Sequence, residues 1–207
     1  MARASDPDFL VLHALRLKGF ADTLVLAALT QFDEHKVAAS LEASQTEGSV
    51  TRREGRISGW ALTPAGRSKH KDLVAGELAA SGAQGAIEES YPRFLAVNGE
   101  LLAICTDWQL RDGALNDHTD ADYDSAVVAR LRGIDDVVQP VCSDLAKSLD
   151  RFDHYGPRLG HAIDQIEAGN GDWFAKPVID SYHTVWFELH EDLLVTLGIE
   201  RSTEGGT

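Results

Sequence analysis

The side chains with the most chemistry to offer lie in the second half of the chain. His118 sits in Asp117-His118-Thr119-Asp120, an imidazole among carboxylates, and His183 and His190 stand seven residues apart with Glu188 and Glu191 close by. Imidazole with carboxylate is a metal-ligand set and also a general acid–base pair. For a metal the spacing is wrong: seven helical residues separate two histidines by about 10.5 Å along the axis, too far to grip one ion together. The sequence holds no HExxH, no CxxC and no EF-hand loop, so no metal and no cofactor is expected. It also lacks a G-x-S-x-G elbow, a phosphate-cradling glycine loop and a Cys–His signature, which leaves an enzyme without support. A small-molecule pocket fits these residues better. Trp108, Tyr182, Trp186 and Phe187 offer apolar walls, and Arg111, His118, His183 and His190 offer a few polar groups, the mixture that ligand sites use. The competing reading is that the aromatic residues are simply core.

A second set of residues lies earlier and suits nucleic acid. Arg52, Arg53 and Arg56 could meet phosphates or the minor groove. Lys36, Ser40, Ser44 and Gln45 are placed by the pattern on an exposed helix face, from which they could reach base edges. Glu42 and Glu47 lie in the same stretch and would repel phosphate. The alternative is a solvated polar face used for protein contacts.

The elements that must carry these residues follow from caps and periodicity. Asp6-Pro7-Asp8 starts a helix that Gly19 ends. Asp22 or Thr23 caps a short helix over 24–29, and Asp33 caps a third over 34–46, with Val37 and Leu41 on one face. Ser49-Val50-Thr51 and the alternating stretch 56–62, joined through Gly55, predict a β-hairpin. Thr63-Pro64 then opens a helix to about Ala80. Small residues over 81–86 predict a linker. Beyond it the pattern is helical throughout, with Pro92 as a kink or boundary, a break at Asn98-Gly99, a polar loop at 112–120 and a long helix over 120–149 bent at Pro140. Further helices are predicted over 157–168 and 177–197. The last carries two apolar stripes: Val178, Tyr182, Val185, Leu189 and Leu193, then His183, Phe187, His190 and Leu194. A surface helix normally has one such stripe, so this one is expected to be buried on two sides. The fold class expected is mainly α. A first domain over 1–80 has three helices and a two-stranded wing. An acidic all-helical domain follows over 87–200, then a disordered tail over 201–207.

Charge divides the chain at the same place. Residues 1–82 hold ten Lys/Arg and ten Asp/Glu, while 83–207 hold nine and twenty-three, so the second part carries the whole net charge of −14. Such a balance works against strong non-specific DNA binding by the entire chain. No apolar run approaches the roughly 20 residues of a membrane span, and the first residues have no secretory pattern. Cys105 and Cys142, without CxxC spacing, read as reduced core thiols in a cytoplasmic protein.

The stretch from about Phe9 to Lys71, carried by HKVAASLEASQTEGSVTRREG and WALTPAGR at 35–55 and 60–67, resembles the winged-helix domains of MarR-type and PadR-type bacterial transcription regulators. The resemblance covers about a third of the chain. It implies that the third helix enters the major groove of double-stranded DNA and that the hairpin touches the flanking backbone. The protein expected is a homodimeric DNA-binding regulator whose helical second domain dimerises and senses a small-molecule effector. Its rivals are an interaction adaptor that keeps a winged helix without binding DNA, and a helical metal-binding or ligand-binding enzyme.

Overall fold

Capping side chains set the first elements. In the computed structural model, which describes residues 5–200, the Asp6 carboxylate accepts from the N–H groups of Asp8 and Phe9, both at 3.0 Å. This opens α1 (Pro7–Lys18). Asp22 accepts from Val25 at 2.8 Å to start α2 (Thr23–Thr30), and Asp33 accepts from His35 at 2.9 Å to start α3 (Glu34–Thr46). Strands β1 (Val50–Arg53) and β2 (Gly59–Leu62) pair antiparallel, with Val50 opposite Leu62 and Arg53 opposite Gly59. Ala21 extends the hairpin by one bridge: the Trp60 N–H donates to its carbonyl at 2.8 Å, and its own N–H donates to Trp60 O at 3.2 Å. Helix α4 (Pro64–Ser81) follows.

These elements enclose one apolar cluster that includes Leu12, Leu15, Leu26, Val37, Leu41, Val50, Trp60 and Leu62. Beside it, His13 of α1 and His70 of α4 are buried and stacked, with Nδ1 and Nε2 3.0 Å apart.

The chain divides into two compact units, one of residues 5–82 together with 194–200 and the other Ala83–Leu193. Only Gly82 and Ala83 separate α4 from α5 (Gln84–Gln109), where the small-residue composition suggested a longer linker. Helix α5 runs unbroken through Pro92, Asn98 and Gly99, and α6 (Ala121–Ser148) runs unbroken through Pro140. Both prolines are exposed, as are Glu88 and Asp136 four residues earlier. The carbonyls that lose a helical partner therefore face water, and the helix continues.

The second unit is not purely helical. Two-residue strands β3 (Leu110–Arg111) and β4 (Ala114–Leu115) pair antiparallel. The two turn residues, Asp112 at φ 52° and Gly113 at φ 81°, are both left-handed, as a tight two-residue hairpin turn requires.

After α6 come a 3-10 turn (Asp150–Phe152), α7 (Tyr155–Glu167), the single-turn α8 (Asp172–Ala175) and α9 (Tyr182–Leu197). Helix α9 starts later than its pattern suggested, because Ser181 Oγ accepts the Thr184 N–H at 3.3 Å and 177–180 are turn and loop. Among the described residues no helix is long and apolar enough to cross a membrane. The tail expected over 201–207 lies outside the described residues.

One approach in the first unit leaves no room for a side chain. A Cβ on Gly66 would sit 1.8 Å from the Ser49 carbonyl oxygen. The obstacle is backbone and cannot swing away, so Gly66→Ala is expected to cost about 2–3 kcal/mol. Urea unfolding of the two proteins measures it.

Candidate functional site

On the first unit, α3 turns one stripe inward. Val37, Ser40, Leu41 and Ser44 are buried together, as residues three and four apart on a helix must be. Ser40 and Ser44, 8% and 7% exposed, are therefore not on the outer face where the sequence placed them. They border a cavity of about 190 Å³ together with Phe9, Leu12 and Lys69. The outer face keeps Lys36, Glu42 and Gln45, with His35 beside them. The Lys36 ammonium lies 4.0 Å over the Phe32 ring.

Arg52, Arg53 and Arg56 are all exposed on the hairpin. The Arg52 guanidinium stacks 5.5 Å over Trp60 and lies 3.6 Å from Glu54. Trp60 is itself anchored, its indole N–H donating to Thr23 Oγ1 at 3.2 Å. Glu47 is engaged by Lys69 at 2.5 Å. Two of the nearby acids are thus partly neutralised, which leaves Arg53 and Arg56 to set the local sign at the hairpin tip.

On the second unit, an open cleft of about 1070 Å³ is lined by residues that include Trp108, His118, Asp124, Ser125, Glu167 and Trp173. Trp108, at the end of α5, stacks nearly parallel on Phe174 at 4.4 Å, and His118 tilts against its ring at the same distance. A Cβ on Gly171 would come within 3.0 Å of Trp108 Cζ2, so the loop before α8 helps hold the indole. His118 Nδ1 lies 2.9 Å from Asp124 Oδ2. Asn116 donates to Asp124 Oδ1 at 2.9 Å and to the Trp108 carbonyl at 3.2 Å. The His118 backbone is left-handed at φ 56°, an uncommon conformation for a side chain-bearing residue.

Around this loop, hydrogen bonds from Thr119 hold the Asp117 carboxyl below its ordinary range. The Tyr123 N–H and the Arg111 guanidinium do the same for Asp120. Arg111 pairs with Asp120 at 2.9 Å and stacks 4.6 Å over Tyr123. It braces the loop and is not among the residues lining the cleft. Chemically the cleft offers a flat aromatic wall, an imidazole oriented by a carboxylate, and a rim where Glu167 and Asp172 are engaged by Arg132 and Lys176.

The remaining candidates do not join this cleft. Tyr182, Trp186 and His190 are buried in the core of the second unit. The Tyr182 hydroxyl donates to Asp135 at 3.1 Å, the Trp186 indole donates to Asn98 at 2.9 Å, and Phe94 packs on both Trp186 and His190. The polar atoms of Tyr182 and Trp186 have internal partners and the His190 ring is packed on Phe94, so these side chains serve as packing and not as ligand walls. His183 is partly buried, and that burial holds its pKa below the ordinary value. Phe187 is 48% exposed. The two sets that sequence joined as one pocket are thus a cleft at Trp108 and His118 and a core at Tyr182 and Trp186.

Sequence reasoning missed the buried charges. Glu188 and Asp192 of α9 are 4% and 1% exposed. Arg151 and the Tyr155 hydroxyl bind Asp192, while Arg158 bridges Asp180 and Glu188 at 2.8–3.0 Å. The signal was present, since Glu188 and Asp192 fall between Val185, Leu189 and Leu193 on the helix surface. Cys105 and Cys142 are buried free thiols whose pKa values burial pushes up to about 12, so neither is a thiolate near neutral pH. Among the described residues no three His, Cys, Asp or Glu side chains are grouped to hold a metal ion. Compared with known proteins, the chain matches no family model, no curated protein and no solved structure.

Burial raises the Asp135 carboxyl above its usual range. The ionised form therefore costs stability in the folded state. The cost is absent below the unfolded carboxylate pKa of about 3.9 and grows as pH rises through the folded value. Asp135→Asn keeps an acceptor for Tyr182 and Gln139, and it is expected to stabilise the protein at pH 7 but not in acid below the carboxylate range. Urea midpoints at the two pH values check the sign.

Proposed function

We propose that the first unit is a winged helix-turn-helix that binds double-stranded DNA, and that the chain is a cytoplasmic, homodimeric transcription regulator of MarR-like or PadR-like type. The observation that carries this reading is the order α1–α2–α3–hairpin, with Lys36 and Gln45 on the outer face of α3 and Arg52, Arg53 and Arg56 exposed on the hairpin that follows. In this reading α3 enters the major groove and the hairpin arginines clamp the flanking phosphates. The second unit dimerises, placing two such modules on half-sites one helical turn apart. A small effector in the Trp108–His118 cleft favours one of two arrangements of the dimer, as coupling between distinct sites requires.

A second reading is an adaptor whose winged helix meets protein. Glu42 on the exposed face of α3 and the net charge of −14 favour it.

Binding of a fluorescent duplex from upstream of the chain's own gene, followed against salt, separates the two. The regulator binds, and Arg52→Glu with Arg53→Glu weakens it at least about tenfold and lowers the log–log salt slope by about 2. No binding at low salt leaves the adaptor.

A further inference from the structure

Hydroxyls on the helices of this chain mostly turn back on their own backbone. Thr30, Thr46, Ser90, Thr106 and Ser148 each donate to the carbonyl four residues earlier, at 2.8–3.1 Å, the local bond that Ser and Thr make within a helix. Ser40 of α3 does not. It is 8% exposed, and its Oγ is buried without a hydrogen-bond partner among the described residues. A hydroxyl left in that state costs stability, and such a group calls for an explanation.

The cavity that Ser40 lines supplies one. It lies between α1, α3 and α4 and measures about 190 Å³. That is about six times the roughly 30 Å³ of one water in the liquid, room for a short organic chain and not for a nucleotide. Its two ends differ. Phe9, Leu12, Ser40 and Ser44 are buried and form the deep end. Asp6, Asp8 and Glu47 are exposed and form the mouth.

The mouth favours a cation. Glu47 and Lys69 pair with each other at 2.5 Å, and among the described residues no cation pairs with Asp6 or Asp8. The N–H groups of Asp8 and Phe9, which would draw an anion to this end of α1, already donate to the Asp6 carboxylate. The deep end favours a neutral group. An ammonium carried down to Ser40 would give up its water beside Phe9 and Leu12, at far greater cost than a hydroxyl.

We infer that this cavity binds a short amphiphilic amine with a neutral hydrogen-bonding group at its far end, of which an amino alcohol is the simplest case. The ammonium stands at Asp6 and Asp8, the apolar chain lies along Phe9 and Leu12, and the far hydroxyl meets Ser40. The site is separate from the Trp108–His118 cleft and is independent of DNA binding.

Amide chemical shifts of the nitrogen-15-labelled full chain, titrated with four small probes, provide the test. 5-Aminopentan-1-ol is expected to move the amides of α3 and α4 around Ser40, Ser44 and Leu73 and to saturate. Pentylamine, which lacks the hydroxyl, should bind about threefold to tenfold more weakly. 5-Hydroxypentanoate, with the opposite charge, should bind at least about tenfold more weakly. Ser40→Ala should remove the advantage of the amino alcohol over pentylamine and leave pentylamine unchanged. Asp8→Asn should weaken both amines and leave the neutral probe, pentan-1-ol, unchanged.

Saturable binding by none of the probes leaves water as the occupant and overturns the inference. Shifts that avoid the cavity overturn the site. A carboxylate probe that binds as tightly as the amines overturns the ligand class, and a Ser40→Ala protein that keeps the preference for the amino alcohol overturns the role of Ser40. Should Ser40→Ala fail to fold, Ala43→Leu, which fills the cavity from its exposed side, decides in its place: the amino alcohol must then lose its binding, and retention overturns the site.

Discussion

The contact between Gly66 and the Ser49 carbonyl fixes where the hairpin of the first unit can lie. Thr63 completes it: its hydroxyl donates to the Gly48 carbonyl at 2.7 Å and accepts the Gly66 N–H at 3.0 Å. One side chain thereby caps α4 and closes the chain onto the end of α3. Leu62, one residue earlier, is paired with Val50, so the strand register and the helix start are set within two residues of each other. Ala21 and Thr23 then tie Trp60 to the start of α2. With both ends of β2 anchored, the exposed tip carrying Arg53 and Arg56 projects from a fixed base. A proposed phosphate clamp needs such a base, because a flexible cationic loop would lose in ordering entropy part of what its contacts contribute.

The second unit depends on a different constraint. Helix α9 takes two carboxylates and an imidazole into a nearly dry interior, and an unpaired buried charge costs several kcal/mol. Arg151 and Arg158 must therefore point inward from the 3-10 turn and from α7. Tyr155 supplies a further donor to Asp192, and its own ionisation is pushed well upward by burial and by that carboxylate. Networks of this kind are weak contributors to net stability but strongly penalise the loss of one member. They fix which face of α9 meets α7, and Tyr182, Trp186 and His190 are consequently packed as core.

The parts of the fold that were legible in sequence are those governed by local chemistry. Asp6, Asp22, Asp33 and Thr63 each cap the helix they were read to start, because an Asp or Thr oxygen has few better partners than the free N–H groups of a first turn. A paired hairpin and the helix beginning at Pro64 followed from the same local rules, but β2 starts only at Gly59 and all four of its residues are buried, so the alternation expected over 56–62, with Ile57 turned inward, is absent. What was not legible depended on which side of an element meets the core. Ser40 and Ser44 look like polar, outward residues until they are counted with Val37 and Leu41, with which they share a stripe. Pro92 and Pro140 look like breaks until the exposed face they occupy is known. The Asp112-Gly113 pair carried a hairpin signal that two-residue strands were too short to confirm by alternation. The cleft was half legible. Trp108 and His118 come together through Asn116 and Asp124, residues with no signature of their own, while Trp173 and Gly171 arrive from sixty residues away.

The charge split bears on the proposed function through distance. Electrostatic potential from exposed groups decays over about 10 Å at 0.1 M salt. Whether phosphate is attracted is therefore decided by the charges nearest the contact, not by the sum over the chain. At the hairpin the nearest groups are Arg52, Arg53 and Arg56 against Glu54, and Glu54 is already within 3.6 Å of Arg52. A local excess of cations can coexist with a strongly acidic remainder. In this account an acidic second unit does not contradict a DNA-binding first unit. In the proposed reading the field of the acidic second unit is screened over the same distance, so the charges on the hairpin and on α3 set the attraction at the contact.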